Sequence, residues 1–585
     1  MIILGISYLS DAGACIVKNG KIISAINEER LNRIKLFYGI PEMSIRYVLK
    51  DAKITMHDVD VILTQGYCAS EEGIEFIDHG LVGQEAKRQE AIMRVQEKIE
   101  RSKLPFNDKK RQLQNIANRF EHENFAIYQR NINLIRQLKK FKRPIKVVEH
   151  HISHAAAAYF LSGWNEAYIL TADGWGEMES NILCHAANGK IKKLGYSHSF
   201  DSLGYYYGSV TKALGFIPHR HEGKVLGLAA AGKARRSLAW MKEMIYYNKK
   251  RKCFEGGYEN GIYNARFDNP ALEKLIQGER REDVAHAVQM HLEKIVSDYV
   301  RDLVPAGSKL AVAGGIFANV RLNQRLLELA NIKDLFVFPQ MGDGGLAVGS
   351  ALYYYSRKKT LKPASFKTLY LGPSYKDSAI EKEIKRFGFI YRRVADIEKK
   401  LAQILSHNKP VMRFCGKMEY GPRALGNRTI LFPTTDKLVN DWLNKALRRS
   451  EFMPFAPATL AEKATLCYKN IKDHKGCGLF MTMTFDCTGW MKKKSPGVVH
   501  IDGTARPQLV SKAMNPSFYK VLRHYYALTG IPSLINTSFN MHEEPIVCSP
   551  TDALRAFRDS KLKYLAIEDF LVVTEKDDVL FTGDA

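Results

Sequence analysis

"IILGISYLSDAGACIVKNGKIISAI" spans residues 2–26, and the way it folds decides the architecture of the chain. Its apolar runs, IILGISYL, ACIV and IISAI, are separated by SDAG and KNGK, whose Gly, Asn, Asp and Ser residues favour turns. The stretch reads as strand, turn, strand, turn, strand. A second stretch of the same kind lies at 167–184, where AYILTADGWGE carries a strand into an Asp-Gly turn and continues towards SNILCHA. Glycine in such turns lets backbone N–H groups approach a phosphate with no side chain in the way.

Two openings of this sort, one for each half of a nucleotidase core, resemble the actin, sugar-kinase and Hsp70 type of ATPase and imply an α/β fold. Further along, KLAVAGG runs into IFANVRLNQRLLELA over 309–330, a strand, glycine turn and helix. Gly314 and Gly315 there let a flat ring and ribose lie against the backbone, and Asn319 and Asn323, one helical turn apart, offer hydrogen bonds. LFVFPQ leads into MGDGGLAVGSALYYY, which sets Asp343 in a glycine-cushioned turn at a strand end, where α/β folds place ligands. The basic, proline-bearing SRKKTLKPASFK then reads as a linker, with a domain boundary near 365.

EHHISHAAAAY (149–159) sets His150 and His154 four residues apart, on one face of a helix and within reach of one ion, while His151 points elsewhere. With the carboxylates of Asp173 and Asp343 they make a mixed N/O donor set that favours iron, zinc or manganese over magnesium. The alternative is a polar start to a packed helix.

Bulk properties narrow the field. A chain of 585 residues, 45% of them hydrophobic, suggests two to four globular domains. Lys and Arg number 87 against 62 Asp and Glu, a formal charge of +25 that favours anionic partners: nucleotides, nucleic acid, phosphorylated sugars or an anionic membrane face. Nine cysteines without a CxxC pair encode neither a zinc knuckle nor a disulfide framework, which fits a reducing cytoplasm. The opening residues carry no basic leader, and no stretch reaches the roughly 18 to 20 apolar residues of a membrane span. The expectation is a cytoplasmic protein, with peripheral contact at the inner membrane face as a variant. Between about 84 and 143 helix formers dominate, with Ile92, Val95 and Ile99 at helical spacing. This segment is expected to be a solvated helical insertion; a basic arm for an acidic acceptor or membrane surface is the competing reading.

From end to end the chain resembles the bacterial O-carbamoyltransferases of the nodulation-factor and antibiotic-tailoring type. The resemblance rests on EERLNRIK (28–35), HHISHAAAAY, DGWGE, HEGKVLGLAAAG (221–232), AGGIFANVRLN (313–323), MGDGGLAVG, GKMEYGPRALGNR (416–428), MPFAPA, DGTARPQ (502–508) and NTSFNMHEEPIV (536–547). It implies an actin-like transfer domain over 1–365, similar to the tRNA threonylcarbamoyl transferase subunit, and a YrdC-like domain over 366–585. The resemblance further implies that carbamoyl phosphate and ATP form carbamoyl-adenylate in the second domain. The first then passes the carbamoyl group to a hydroxyl of a sugar or glycan.

Carried over by motif, His150, His154, Asp173 and Asp343 are metal ligands, with iron the implied ion, zinc or manganese as alternatives, and magnesium accompanying ATP. Gly314, Gly315, Asn319 and Asn323 fall at the adenosine side. Lys417, Arg423, Arg428 and Arg506 suit two polyanions whose repulsion must be offset, although structural salt bridges would use the same residue types. Asn536, Ser538 and Asn540 bind the carbamoyl amide or adenylate, or else form an Asx turn. For acceptor chemistry the candidates are His221, Glu222 and Lys224, with Lys35 near the transfer site and Asp11 in the first hairpin.

Departures from the pattern stand at Ser10, where relatives carry His, and at Ser450 and Met453, where they carry Glu and Arg; Arg448, Arg449 and Glu451 are neighbouring substitutes. The positive charge favours a phosphorylated or acidic glycan acceptor, such as a lipopolysaccharide core, over a polycation. A tRNA-modifying transferase and a non-catalytic ATP-binding relative are the rival readings; no RNA-recognition signature supports the first. Homo-oligomers are compatible with all of these.

Overall fold

The computed structural model describes the chain apart from residues 67–73, 78–80, 119–123, 234–235, 264–266, 367, 440–443, 446–454, 576–578 and 583–585, and apart from the side chains of 81–86, 88, 124–128, 130, 475, 579 and 582. Ser450, Met453 and their proposed substitutes therefore lie outside the described residues. The chain forms two compact units: Met1–Ile23 with Tyr38–Phe366, and Ser24–Phe37 with Lys367–Ala585. The EERLNRIK segment thus groups with the second unit, although it lies within the span expected for the first domain.

Two sheets build the first unit. The opening hairpins are β1 (Ile2–Ser7), β2 (Gly13–Lys18) and β3 (Lys21–Asn27), followed by β4 (Val61–Gln65), β5 (Ile74–Ile77) and β6 (Ile145–Val148). They assemble in the order β3-β2-β1-β4-β6-β5, with β1 antiparallel to β2 and parallel to β4, and β6 parallel to β4 and β5. The second sheet repeats the plan. Its strands are β7 (Glu166–Gly176), β8 (Glu179–Ala187) and β9 (Lys190–His198), then, after a small hairpin of β10 (Ile245–Asn248) and β11 (Cys253–Gly256), β12 (Ser308–Ala313) and β13 (Ile332–Val337). They order as β13-β12-β7-β8-β9, again a three-stranded meander with two parallel strands added beside its first strand. Leaving β5 aside as an added edge, the halves have one topology, the duplicated plan of actin- and Hsp70-type ATPases.

Local chemistry repeats as well. Asn19-Gly20 and Asn188-Gly189 both take φ near +50 and +78, the left-handed pair of a type I′ turn, so each half closes its second hairpin with the turn that matches strand twist. After the fifth strand of the shared plan each half sends off a 13-residue helix: His150–Ser162 after β6, and Leu346–Lys358 after β13 and a short turn. These helices touch at their smallest residues. A Cβ on Gly349 would lie 1.8 Å from the Ser153 carbonyl oxygen, and Ala155 to Ala158 are fully buried. A Cβ on Gly5 of β1 would meet the Ala347 carbonyl oxygen at 2.1 Å, so the second helix also presses on the first sheet.

The helical insertion comprises Leu81–Glu100, Phe106–Asn118 and Asn124–Leu138. It is not simply solvated. Ala91, Val95 and Ile99 on one face of its first helix are fully buried, while Met93 on the opposite face is exposed.

The second unit is built on an eight-stranded sheet and a small two-stranded one, β18 with β19. In chain order the strands are β14 (Ile390–Arg393), β15 (Val411–Phe414), β16 (Arg428–Pro433), β17 (Ala456–Leu460), β18 (Phe485–Asp486), β19 (Thr504–Ala505), β20 (Gln508–Val510), β21 (Ser533–Ser538), β22 (Tyr564–Ile567) and β23 (Phe570–Val573). The large sheet runs β14-β23-β22-β15-β16-β21-β17-β20. Helices Ile397–Ser406 and Pro516–Thr529 pack on it through Leu401, Leu405, Phe518, Val521 and Leu522. Asp396 and Asn515 cap them by accepting the N–H groups of Lys399 and Phe518. Among the described residues no helix is long and apolar enough to cross a membrane.

Candidate metal and nucleotide centre

The first helix of the crossing pair begins at the histidines. The Glu149 carbonyl oxygen accepts the N–H of Ser153 at 2.9 Å and so starts the helical ladder one residue before His150. The Glu177 carboxylate accepts the otherwise unpaired N–H of His150 at 3.0 Å. Glu177 holds φ at +49 to do so, an unusual conformation for a residue with a side chain. Gly176 is required beside it, because a Cβ there would stand 2.6 Å from the His150 ring.

Asp173 sits where the β7–β8 ladder shifts register between Ala172 and Gly176. The N–H groups of Gly174 and Gly315 donate to its two carboxylate oxygens at 2.7 and 3.0 Å, which fixes the side chain. Asp343 opens the turn Asp343–Gly345 that leads into the second crossing helix. The four side chains converge. His154 Nε2 lies 3.3 Å from Asp173 Oδ2 and 3.9 Å from Asp343 Oδ1, and His150 Nε2 lies 3.9 and 3.7 Å from the same atoms. One ligand atom from each residue falls within 4.8 Å of the others.

His151 shows the contrast. Its Nδ1 is 2.8 Å from Thr171 Oγ1 and its Nε2 3.1 Å from the Glu179 carbonyl oxygen, so it is a satisfied core residue. The Nε2 atoms of His150 and His154 are as deeply buried and have no hydrogen-bond partner. Polar atoms left in this state are expensive to bury, and a cation between two imidazoles and two carboxylates would satisfy them together. The donor set fits a divalent transition metal, as the spacing predicts.

With no cation between them, the four groups set one another's charge. Burial pushes His150 down, but the carboxylates of Asp173, Asp343 and Glu177 outweigh it and hold its pKa at about 9. Burial brings His154 to about 4 and, with Asp173 beside it, lifts Asp343 to about 7. Asp173 stays well below the usual range, because the two histidines outweigh its burial.

The Gly314-Gly315 pair borders this cluster. Gly314 holds φ at +104, and a Cβ there would meet the Ala172 carbonyl oxygen at 2.2 Å; a Cβ on Gly315 would stand 3.1 Å from Asp173 Oδ1. Asn319 and Asn323 are used internally. Asn319 caps helix Val320–Leu327 through the N–H of Leu322 and exchanges hydrogen bonds with Gln289, and fully buried Asn323 donates to the Phe317 carbonyl at 2.7 Å. Both shape the loop after Gly315 through these internal hydrogen bonds. Asp11, at φ +62, accepts from Gln340 Nε2 at 2.7 Å, three residues before Asp343.

The loop 217–222 also reaches the Asp173-Gly174 turn: His219 Cε1 lies 3.9 Å from where a Gly174 Cβ would be. His221 Nδ1 accepts the N–H of Ile217, and Glu222 accepts the N–H of His219 at 2.6 Å, while Lys224 is partly exposed.

The remaining expected residues lie in the second unit. Arg428 departs most from expectation. It is fully buried, its guanidinium donates to the carbonyls of Pro373, Cys415, Gly416 and Asn427, and it lies 3.6 Å from the centre of the Phe414 ring. It braces the loop instead of facing a phosphate. Asn536 is likewise spent inside, donating to Ala424 and Gln508 and accepting from Thr429. Ser538 donates to Asn540, which donates in turn to the carbonyls of Met541 and Glu544, so this pair forms a turn. Lys417, Arg423 and Arg506 are partly exposed, and Lys35 stands 3.9 Å from Glu543.

Sequence reading assigned no role to Glu177, nor to Glu419. The Glu419 Oε1 accepts the N–H groups of Leu425, Asn427 and Arg428 and folds the GPRALGNR loop around itself. The available signal was an acidic residue just before a glycine-rich turn.

Residues 2–352 match the family model described as the carbamoyltransferase N-terminus, and residues 402–574 the carbamoyltransferase C-terminus. Nodulation protein NolNO of Sinorhizobium fredii is 30% identical over 97% of this chain and 79% of its own length. An uncharacterised protein of Methanocaldococcus jannaschii is 31% identical over 97% of this chain and 99% of its own. Among solved structures, component A of the (R)-2-hydroxyglutaryl-CoA dehydratase of Acidaminococcus fermentans superposes with a TM-score of 0.34 at 14% identity, covering 61% of this chain and 98% of that one. Matched by both family models over most of its length, the chain belongs to the carbamoyltransferase family and is a carbamoyltransferase enzyme.

Proposed function

We propose that the protein is an ATP-dependent O-carbamoyltransferase: water hydrolyses carbamoyl phosphate to carbamate and phosphate, the carbamate displaces pyrophosphate from ATP to give carbamoyl-adenylate, and the carbamoyl group is then transferred to a sugar or glycan hydroxyl. A YrdC-like domain over 366–585 would form the adenylate and an actin-like domain over 1–365 would carry out transfer, in the cytoplasm. The observation that carries this reading is the convergence of buried His150 and His154 with half-buried Asp173 and Asp343 beside the Gly314-Gly315 turn.

A divalent ion held by those four residues would supply positive charge to an adenylate phosphate. Around it, Gly314 and Gly315 leave the backbone open to the nucleoside, and the N–H groups of Gly174 and Gly315 keep Asp173 aimed inward. In the transfer step the acceptor oxygen attacks the carbamoyl carbon, the bond from that carbon to the adenylate oxygen breaks, and AMP departs. We assign the hydroxyl proton to Asp11. The family resemblance leads one to expect a histidine beside this aspartate; this chain has Ser10 there, which leaves the Asp11 carboxylate as the titratable group of that turn, oriented by Gln340. Lys417, Arg423 and Arg506 suit the donor polyanions in the second unit. The formal charge of +25 supports a phosphorylated or otherwise acidic glycan as acceptor.

The test is to incubate the protein with ATP, carbamoyl phosphate and acceptor sugars. Pyrophosphate release that depends on carbamoyl phosphate, and AMP release that depends on the acceptor and is lost in Asp11→Asn, are expected. Pyrophosphate release indifferent to carbamoyl phosphate would refute the adenylate route. Equal rates with phosphorylated and dephosphorylated acceptors at low salt would refute the acidic-glycan assignment.

A further inference from the structure

The basic insertion is tied to the metal helix by a buried chain of charges. Lys87, Arg94 and Lys98 share one face of the helix Leu81–Glu100, the face that also buries Ala91, Val95 and Ile99. Each cation meets a carboxylate that is at most 3% exposed: Lys87 with Glu179 at 2.7 Å, Arg94 with Asp201, and Lys98 with Glu255 at 2.9 Å. The second and third pairs end locally, on the Asp201 segment and the β11 hairpin.

The first pair continues. Glu179 is also held by Lys193 of β9 at 2.7 Å, and the same Lys193 Nζ reaches Glu149 at 3.2 Å. Both lysines lie over the ring of Tyr196, at 4.7 and 5.6 Å from its centre, which fixes their approach. Glu149 is the residue whose carbonyl starts the helix bearing His150 and His154. Lys193 thus joins two carboxylates buried side by side, and Lys87, which comes from the insertion, holds Glu179 from the other side.

We propose that Lys87 is a positioning residue for the metal centre: through Glu179, Lys193 and Glu149 it holds the start of the histidine helix in the register that aims both imidazoles at one ion. The inference rests on the metal reading of His150, His154, Asp173 and Asp343. It gives the insertion a function as a clamp built into the transfer domain, in place of a free basic arm.

The sign of the metal effect separates this role from a field effect. Removing a cation near the centre by electrostatics alone would tighten divalent binding, since the local potential becomes more negative. Loss of positioning weakens it, by about tenfold if Lys87 acts as outer partners of metal ligands do. The experiment titrates chelator-stripped full-length protein with Mn2+, comparing Lys87→Met, Lys87→Arg and Lys98→Met, with Lys87→Gln as a milder replacement should Lys87→Met not fold.

Lys98→Met removes an equivalent ion pair from the same helix without touching the path to Glu149. Expected are a roughly tenfold rise in Kd for Lys87→Met, near-normal binding for Lys87→Arg, and unchanged binding for Lys98→Met. Unchanged or tighter binding in Lys87→Met, or equal weakening in Lys98→Met, would overturn the clamp. Hydrogen exchange of residues 149–162 in metal-free protein reads the clamp independently, with faster exchange in Lys87→Met alone expected. If the wild type binds no Mn2+, the metal reading fails while the exchange result still decides the clamp; equal exchange in all variants overturns it.

Discussion

His151 and His154 stand three positions apart on one helix and answer to different partners. His154 Nε2 faces Asp173 with no hydrogen bond of its own, whereas His151 is bonded at both ring nitrogens inside the core. His154→Asn should therefore abolish stoichiometric metal binding, read by elemental analysis of protein loaded with Mn2+. His151→Leu should retain the metal and lose stability, by about 1–3 kcal/mol in a denaturant melt, because it removes the buried hydrogen bonds to Thr171 Oγ1 and the Glu179 carbonyl. Similar metal loss in both variants would remove the distinction drawn from those contacts. Arg428 carries a matching expectation in the second unit. With its guanidinium on carbonyl groups, Arg428→Met should lower stability by about 3 kcal/mol or more, while Arg423→Ala should act on donor turnover at little cost in stability. The convergence of His150, His154, Asp173 and Asp343 was legible in the sequence because helical spacing and glycine-flanked strand ends are local patterns. The inward use of Arg428, Asn323 and Asn536 was not. A polar residue in a glycine-rich turn can bind a ligand or bind the turn itself, and only the path of the surrounding carbonyls distinguishes the two.

Between residue and molecule lie the two crossing helices, His150–Ser162 and Leu346–Lys358, whose separation sets the distance from the imidazoles to Asp343. Two effects oppose each other at Gly349. Helix propensity alone would make Gly349→Ala stabilising by about 1 kcal/mol. The added Cβ would instead stand 1.8 Å from the Ser153 carbonyl oxygen and 3.3 Å from Ala157 Cβ, on backbone that cannot swing aside. Overpacking of this kind costs about 1–3 kcal/mol, so the net change should be destabilising and should come with weaker Mn2+ binding. Thermal melts and metal titration of Gly349→Ala check both; a stabilised variant with intact affinity would show that the helices can part freely. The strand pattern of each half was readable because its turns are written in Asp, Asn and Gly. Two things escaped that reading. Residues 24–37 group with the second unit, since a short helix carries no label for the core it joins. The insertion docks through charges as well as apolar residues, and a basic helix face looks solvated until its carboxylate partners, far away in sequence, are known.

At the scale of the whole chain, the surplus of 87 basic over 62 acidic residues has to be located before it can be assigned to a partner. Lys87, Arg94 and Lys98 are already neutralised by Glu179, Asp201 and Glu255, so this basic face of the insertion is turned inward. If the acceptor is acidic, as proposed, its attraction must then come from the summed field of the remaining charges, which acts over distance and is screened by salt. Screening shortens from about 30 Å at 0.01 M to about 8 Å at 0.15 M ionic strength. Over that range kcat/KM for a phosphorylated acceptor should fall several-fold, chiefly through KM, while that for its dephosphorylated counterpart should hold nearly constant. Lys98→Met, which removes an internally paired cation, should leave the salt slope as it is in the wild type. Parallel kinetics of both acceptors across salt provide the check: identical slopes would mean that the charge serves some other partner, and a slope that flattens in Lys98→Met would mean that the insertion face is open to anions after all.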